Sequence, residues 1–253
     1  MIALGSSLAF SIVALAALAQ DAISRGTILP VELESSLSLK IEPGKTVTAR
    51  LMQSVPLSKR GRIRAGAKIA GHVTDVVSAS ASLPAQISFK FDQLVLSGRP
   101  IRITTNLLAI ASYVEVEQAQ LPAMGPDRGT PESAWTTTQV GGDTVYRGGG
   151  PVMEGSKIVG EPTYDGVLAL IRPVPGSKCA DAMEGNTPQA LWVFSVDACG
   201  TYGFDNVTIA HSGRGDPRGE ITLASTDGKL SISKGSGMLL QVMGDSSCKD
   251  RHC

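Results

Sequence analysis

The sequence predicts an all-β fold, a barrel or sandwich of short, mostly antiparallel strands with a long Gly/Pro-rich insertion. Apolar and polar residues alternate with period two in "ISFKFDQLVL" at 87–96, which is typical of a half-buried strand. The turn sequence "SGRP" follows, and the alternation resumes in "IRITTNLLAI" at 101–110, so the two segments predict a hairpin. Beyond the first 19 residues no segment has the periodicity of a helix.

Further strands are predicted on both sides of this hairpin. The segments with strand-like patterns are 27–34, 45–52, 68–77, 219–225, 229–233 and 237–243. The tripeptide "TDG" at 226–228 predicts a hairpin turn between the fourth and fifth of them. In "SYVEVEQ" at 112–118, Val114 and Val116 alternate with Glu115 and Glu117. This alternation predicts one more strand with a solvated acidic face.

The stretch "ALWVFSVDACGTYGF" at 190–204 is rich in aromatic residues. Both alternating faces of 190–198 are largely apolar, which predicts a central strand covered on both sides. Gly200 and Gly203 then allow a bend. After the bend, Tyr202 and Phe204 are expected to fold back on the core.

The composition divides the chain into five parts. A first β-rich half at 20–121 and a second at 163–243 flank a segment rich in glycine and proline at 122–162. Such a composition predicts a loop or flexible insertion with at most a short hairpin. A signal segment at 1–19 and a tail at 244–253 complete the chain.

The first 19 residues predict export. They are apolar, carry no charged side chain and end in Ala-Leu-Ala, as a signal peptidase site does. The mature chain would then begin near Gln20, in the periplasm or at the cell surface; an uncleaved N-terminal membrane anchor is the alternative.

The four cysteines predict disulfide bonds, since their number is even and the expected compartment is oxidising. We favour a bond between Cys179 and Cys199, which closes a loop around the Gly/Pro/Asn stretch "EGNTP". Cys248 and Cys253 would pair in the tail or stay free. The tail group "CKDRHC" is the only close set of metal-ligand types, and a frayed tail with a small disulfide loop explains it better than a metal site. No metal site and no cofactor are therefore predicted.

The charge balance argues against nucleic acid as a partner. Lys plus Arg and Asp plus Glu both number 23, so no global field attracts a polyanion. The basic run Lys59, Arg60, Arg62 and Arg64 is a candidate for contact with phosphates or an anionic surface. A charged hairpin tip explains the same run.

Catalysis has one candidate group. Cys199 would be the nucleophile, His211 its base, and Asp197 or Asp205 the residue that orients the base. This is the arrangement that a thiol enzyme needs. The competing interpretation is that Cys199 is oxidised to Cys179 and that His211 ends a strand.

Three segments and a closing strand carry a resemblance. They are "GTILPVELESSLSLKIEPGKTVTARLMQSV" (26–55), "GRIRAGAKIAGHVTDV" (61–76), "ISFKFDQLVLSGRPIRI" (87–103) and "GSGMLLQV" (235–242). Together they resemble the C-terminal β-barrel domain of outer-core, channel-lining (TrbI-like) subunits of conjugation and type IV secretion systems. The sequence departs from that pattern at Ala65, where the family has proline, and it lacks the long helical hairpin and the Pro-rich linker. The block at 190–214 resembles a group of uncharacterised exported bacterial proteins.

These observations favour an exported cell-envelope protein with a non-enzymatic binding or assembly role. Its expected partner is an envelope protein or a glycan of unknown identity, and the resemblance to channel subunits leaves a homo-oligomer open. The alternative is a hydrolase or thiol enzyme that uses Cys199, His211 and Asp197.

Overall fold

The computed structural model describes residues 23–57, 61–122, 136–146, 150–172, 176–179 and 187–243. In these ranges nearly all of the regular secondary structure is β-strand, which confirms the predicted all-β class. The described part contains one helix, of six residues, and no helix that is long and apolar enough to cross a membrane. The signal segment at 1–19, the tail at 244–253 and residues 123–135 lie outside the described residues.

The strands of the first half are β1 (Ile28–Leu33), β2 (Leu37–Ser38), β3 (Thr46–Leu51), β4 (Val55–Pro56), β5 (Arg62–Ile63), β6 (Lys68–Val77), β7 (Ala85–Leu96), β8 (Arg99–Arg102) and β9 (Thr105–Ala111). The helix α1 (Tyr113–Gln118) follows, and then β10 (Thr136–Thr138), β11 (Thr144–Tyr146), β12 (Val152–Glu154), β13 (Lys157–Thr163), β14 (Gly166–Ala169) and β15 (Gln189–Ala190). The last strands are β16 (Gly200–Tyr202), β17 (Val207–Ser212), β18 (Ile221–Ser225), β19 (Ser231–Ile232) and β20 (Gly237–Val242).

Two sheets contain most of these strands. The larger sheet has the order β16-β9-β20-β1-β3-β6-β7-β18-β17, with β8 paired to β7, and only the β16–β9 pair is parallel. The second sheet is a meander from β10 to β15 in chain order. Two short pairs, β2 with β19 and β4 with β5, lie outside both sheets.

The larger sheet curves around an inner core. One face of its strands contributes to a single apolar cluster, whose largest buried members include Phe89, Phe91, Leu29, Leu33 and Ile69. Strands from the centre and from near both edges share this cluster, which a flat sheet would not allow. The two edges approach each other where the Thr201 hydroxyl donates to the carbonyl of Val207 over 2.9 Å. No ladder joins β16 to β17 among the described strands, so the sheet stays open there.

A second core fills the space between the outer face of the larger sheet and the second sheet. It contains Leu108 and Leu239 from the larger sheet, Val145 and Val167 from the second sheet, and Phe194 from the segment between them. Strands β9 and β20 are therefore covered on both faces, and every residue in them is buried. This double cover explains the continuous apolar runs in their sequences.

The strand predicted at 112–118 is wrong, because these residues form α1. Ser112 caps the helix: its hydroxyl accepts a hydrogen bond from the backbone N–H of Glu115 over 3.3 Å. The pattern Ser-x-x-Glu is a capping signature that also fits this sequence. Only Val116 needs burial within the helix, so the Val/Glu alternation did not distinguish the two conformations.

The central strand predicted at 190–198 is also wrong in conformation, although its burial is confirmed. β15 ends at Ala190, and residues 191–198 run through turns with a single bridge between Phe194 and Val140. Trp192 even has a φ of 51°, which no strand allows. As predicted, Tyr202 packs against the second core and Phe204 against the inner core.

The loose insertion predicted at 122–162 is contradicted where the structure describes it. Residues 136–163 supply β10 to β13, which are four of the six strands of the second sheet. Several glycines there lie at tight turns or close approaches instead of in a flexible loop. A Cβ on Gly160, for example, would lie 2.7 Å from the carbonyl oxygen of Leu168 on the neighbouring strand.

Two hairpin predictions need partial correction. The turn at Ser97 and Gly98 joins β7 to β8 as predicted, but the strand expected at 101–110 divides into β8 and β9, and β9 pairs with β20 and β16. The "TDG" segment does not close a hairpin, because β18 pairs with β7 and β17 whereas β19 pairs with β2.

Candidate functional site

The Cys179–Cys199 disulfide is present, with the two Cα atoms 6.0 Å apart. It ties residues 176–179 to the start of β16 and closes a loop with a sequence separation of 20. The Cys179 sulphur lies 3.4 Å from the carbonyl oxygen of Leu108. This is a packing contact, since a disulfide sulphur has no proton to donate. Cys248 and Cys253 lie outside the described residues.

The catalytic group predicted from the sequence is not assembled. Cys199 carries no thiol, so the proposed nucleophile is absent. His211 Nδ1 lies 2.6 Å from the carbonyl oxygen of Glu220, so its N–H donates to that oxygen. The Asp197 carboxylate accepts a hydrogen bond from the Ser195 hydroxyl over 2.7 Å. The three candidates thus have three separate partners.

Asp197 belongs to a polar cluster that includes a buried carboxylate, Asp143, which the sequence analysis missed. Asp143 is 2 % exposed, and its Oδ2 accepts a hydrogen bond from the backbone N–H of Val196 over 2.9 Å. Burial is the main cause that raises the pKa of Asp143, and the nearby carboxylate of Asp197 adds to the effect. The chain comes close here because residue 141 is glycine: a Cβ would lie 1.9 Å from the Ser195 hydroxyl oxygen.

Gln53 joins the two layers of the molecule. Its fully buried amide donates to the carbonyl of Val167 over 2.9 Å and accepts from the backbone N–H groups of Val167 and Trp192. One side chain near the end of β3 therefore binds both β14 and the segment 191–198. The cluster at Asp143 and the contacts of Gln53 serve the backbone of this irregular segment, so both have a structural role.

The seam cavity, as we name it, lies where the two edges of the larger sheet approach each other. It has a volume of about 240 Å³. Strand β9 and strand β16 form one side, β17 forms the other, and residues 178–179 close one end. Its lining residues are Leu107, Leu108, Lys178, Cys179, Cys199, Gly200, Thr201, Thr208, Ile209, Ala210, Ser212 and Arg214.

The lining of the seam cavity combines apolar and polar groups. Leu107, Leu108 and Ile209 supply the apolar part and threonine and serine hydroxyls the polar part. The disulfide is part of the wall, and the Arg214 guanidinium donates to the carbonyl of Lys178 beside it. A mainly apolar lining with a few polar groups is the usual composition of a ligand pocket.

The helix-cap cavity, our name for the second cavity, lies beside α1 and has a volume of about 420 Å³. Three segments form it: the start of the helix, the residues after β16 and the turn before β20. Its lining residues are Ser112, Tyr113, Val114, Glu115, Gly203, Phe204, Ser233 and Ser236.

The two described residues of the basic run lie in or beside a small hairpin. Arg62 and Arg64 are exposed, and Arg62 belongs to β5, which pairs with β4. The exposure of these two arginines agrees with the simpler interpretation of the run as a charged, solvated hairpin. Lys59 and Arg60 lie outside the described residues. Within the described ranges, no three His, Cys, Asp or Glu residues are grouped so that they could hold a metal ion.

No protein-family model, no curated protein and no solved structure matches this chain. The resemblance to secretion-channel barrels stays a prediction.

Proposed function

We propose that the protein is an exported cell-envelope protein with a non-enzymatic binding or assembly role, and that the seam cavity is a binding site. The wall of this cavity carries the proposal. Cys199, the nucleophile that a thiol enzyme would need, contributes its sulphur to a disulfide that lines the cavity. The cysteine that suggested catalysis therefore forms part of the wall of a pocket.

Export is part of the proposal. The apolar residues 1–19, which end in a small-x-small sequence, support a signal peptide. The disulfide supports an oxidising compartment, since thiols stay reduced in the cytosol. The resemblance to channel-lining barrel domains supports an assembly role rather than the binding of a separate ligand.

A cavity-filling variant tests the binding site. Thr208 lines the cavity and is exposed, so a Thr208→Trp side chain would occupy the cavity without entering the core. Thr46→Trp is the matched control, because Thr46 is an exposed strand residue outside the cavity. The full chain is incubated with protein and glycan fractions of a bacterial envelope. We expect the wild type and Thr46→Trp, but not Thr208→Trp, to retain a partner, and failure of the wild type in both fractions would contradict the proposal.

Thiol counting and molar mass separate the proposal from its alternatives. Under denaturing, non-reducing conditions, Cys199 should resist alkylation. Rapid alkylation of Cys199 in the native protein would instead favour the thiol enzyme.

Light scattering on the mature protein tests whether the role is one of assembly. For an assembly role we expect a ring-sized oligomer and not a monomer.

A further inference from the structure

Strand β17 has a free edge, the side on which no described strand pairs with it; β18 pairs with the other side. Successive residues of an antiparallel strand direct their backbone groups to opposite sides. The N–H of Thr226, directly after β18, donates to the carbonyl of Asn206. The backbone groups of Val207 and Ile209 therefore point away from β18 and toward the seam cavity. Val207 accepts the Thr201 hydroxyl there, whereas Ile209 has no ladder partner among the described strands.

The free edge of β17 is accessible beside the seam cavity. Thr208 and Ala210 are exposed, Ile209 is half-buried, and all three line the cavity. The pairing with β18 has a bulge between Ile209 and His211, and a bulge bends its strand. An exposed strand edge is a template for a further strand. Addition of a peptide strand to such an edge is a recurring mode of recognition.

The size of the seam cavity suits the side chains of a bound strand better than a whole enclosed molecule. Its volume of about 240 Å³ is below the roughly 300 Å³ at which small-molecule pockets usually begin. An extended peptide projects every second side chain to the same side. Apolar side chains on that side would contact Leu107, Leu108 and Ile209, while the main chain stays on the free edge.

The charge of the lining indicates the chemistry at one end of the bound segment. Lys178 and Arg214 lie together at one end of the cavity, where the Arg214 guanidinium donates to the carbonyl of Lys178. Lys178 is exposed, and the described lining residues include no carboxylate. A surface with charge of one sign attracts the opposite sign. A carboxylate on the partner would therefore complement this end.

We infer that the partner at the seam cavity is an extended peptide segment of another envelope protein, which adds a strand to the free edge of β17 and places a carboxylate beside Lys178 and Arg214. The main chain of the segment exchanges hydrogen bonds with Ile209, and its alternate side chains enter the cavity. This inference rests on the proposed function, since it names the occupant of the same site. A glycan and a second copy of this chain are the other occupants that the experiments distinguish.

Selection from peptide libraries tests the inference. The immobilised full chain is offered random octapeptides, in one library with free carboxyl termini and in a second with amidated termini. We expect binders with alternating apolar residues and a carboxylate near one end. Binders from the first library alone would identify a C-terminal carboxylate, and Asp or Glu in binders from both would identify a side chain. No binder, or binders without a carboxylate, would overturn the inference.

Backbone methylation of a selected peptide distinguishes strand addition from binding through side chains alone. N-methyl groups are placed on every second residue, in each of the two possible registers. One register should abolish binding and the other should change it by less than about threefold, because only alternate N–H groups face β17. Equal effects in the two registers would overturn the inference.

Amide hydrogen exchange locates the added strand on the protein. A saturating peptide should slow exchange of the Ile209 amide by at least about tenfold, since its N–H gains a partner. The Thr208 amide is the internal control, because it already faces Ala224 on β18 and should not change. Unchanged exchange at Ile209 would overturn the inference.

A charge reversal tests the position of the carboxylate. Lys178→Glu should weaken peptide binding by about tenfold. Lys234→Glu is the matched control, because Lys234 is exposed in the turn before β20 and outside the cavity. Both variants replace exposed side chains and should fold, which the thermal unfolding midpoint verifies. Equal affinities of the two variants would overturn the inference.

Thr208→Trp separates failure of this inference from failure of the proposed function. If this variant lost a glycan partner that the wild type retained, and no peptide bound, the seam cavity would remain a binding site but the inference would be wrong. Slowed exchange at Ile209 at high protein concentration, without peptide, would show a second copy as the occupant and would also overturn it. If the variant kept both the peptide and the envelope partner, both proposals would be wrong.

Discussion

The inner core and the second core bury side chains of the same kind, but their backbones are held differently. Phe89 in the inner core lies on β7, which pairs with β6 on one side and with β18 on the other. Phe194 in the second core lies in the segment 191–198, which has only one isolated bridge. Both side chains are fully buried.

The backbone of the second core therefore depends on hydrogen bonds from buried polar side chains, whereas the backbone around the inner core is held mainly by strand pairing. Buried backbone groups must find hydrogen-bond partners. Inside the larger sheet, neighbouring strands provide them. Around 191–198, Gln53 binds the N–H of Trp192, Asp143 binds the N–H of Val196, and Gln139 binds the carbonyl of Trp192. An irregular segment can fill a core if side chains replace the missing ladder.

Truncation of one phenylalanine in each core should have the largest effect. Phe89→Ala and Phe194→Ala should each cost about 3–5 kcal/mol of unfolding free energy, since each leaves a cavity. We expect Phe89→Ala to reduce protection from hydrogen exchange throughout the molecule and Phe194→Ala to reduce it mainly in β10 to β15. If both variants reduced protection from hydrogen exchange equally in both sheets, the two cores would form one cooperative unit.

Removal of the disulfide should have the second-largest effect on stability. The Cys179→Ala, Cys199→Ala double variant should lose about 3 kcal/mol in urea denaturation, because the bond closes a loop with a separation of 20 residues. The wild type under reducing conditions is the control and should match the variant. An unchanged midpoint in both would mean that the contacts of 176–179 hold without the bond.

Gln53→Leu should cost about 2–3 kcal/mol, because it removes one hydrogen bond each from the N–H of Val167, the carbonyl of Val167 and the N–H of Trp192. Gln93→Leu is the control; Gln93 is exposed on β7, so its replacement should stay within about 0.5 kcal/mol. Urea denaturation monitored by tryptophan fluorescence measures both. If Gln53→Leu behaved like the control, side chains would not be the essential support of the second core.

The smallest effect concerns pH. The pKa of Asp143 is raised mainly by burial, so the folded protein binds this proton more tightly than the unfolded chain does. Its contribution to stability therefore falls as pH rises from 3.8 through the folded pKa. Asp143→Asn keeps an acceptor for Val196 and should gain stability relative to the wild type over this interval, as measured by unfolding at a series of pH values.

Asp227 provides the opposite case. The hydrogen bond from the Ser225 hydroxyl is the main cause that lowers its pKa. Its stabilising contribution is present above pH 3.8 and is lost as pH falls through the folded pKa. Asp227→Asn should therefore remove stability at neutral pH. For each variant, the difference in unfolding free energy from the wild type is plotted against pH. If this difference changed in the same direction with pH for Asp143→Asn and Asp227→Asn, the two assignments would be wrong.

Strands with clear alternation could be predicted closely from the sequence. Residues 68–77 form a strand over the predicted range, and buried positions alternate with half-buried ones from Ile69 to Val73. The Cys179–Cys199 pairing was also predictable, because the bond closes a loop around the Gly/Pro/Asn stretch "EGNTP". The cavities could not be predicted, since the seam cavity gathers residues from β9, β16, β17 and a loop that are far apart in the sequence.

The sequence by itself determined the all-β class, the turn at Ser97 and Gly98, and the burial of 190–198, because these depend on local pattern and hydrophobicity. Only the tertiary structure decided the conformation of 191–198 and the role of Asp197. Apolar composition requires burial but does not specify a backbone. The backbone followed from partners that are distant in sequence: Gln53, which reaches Trp192, and Val140, which bridges to Phe194.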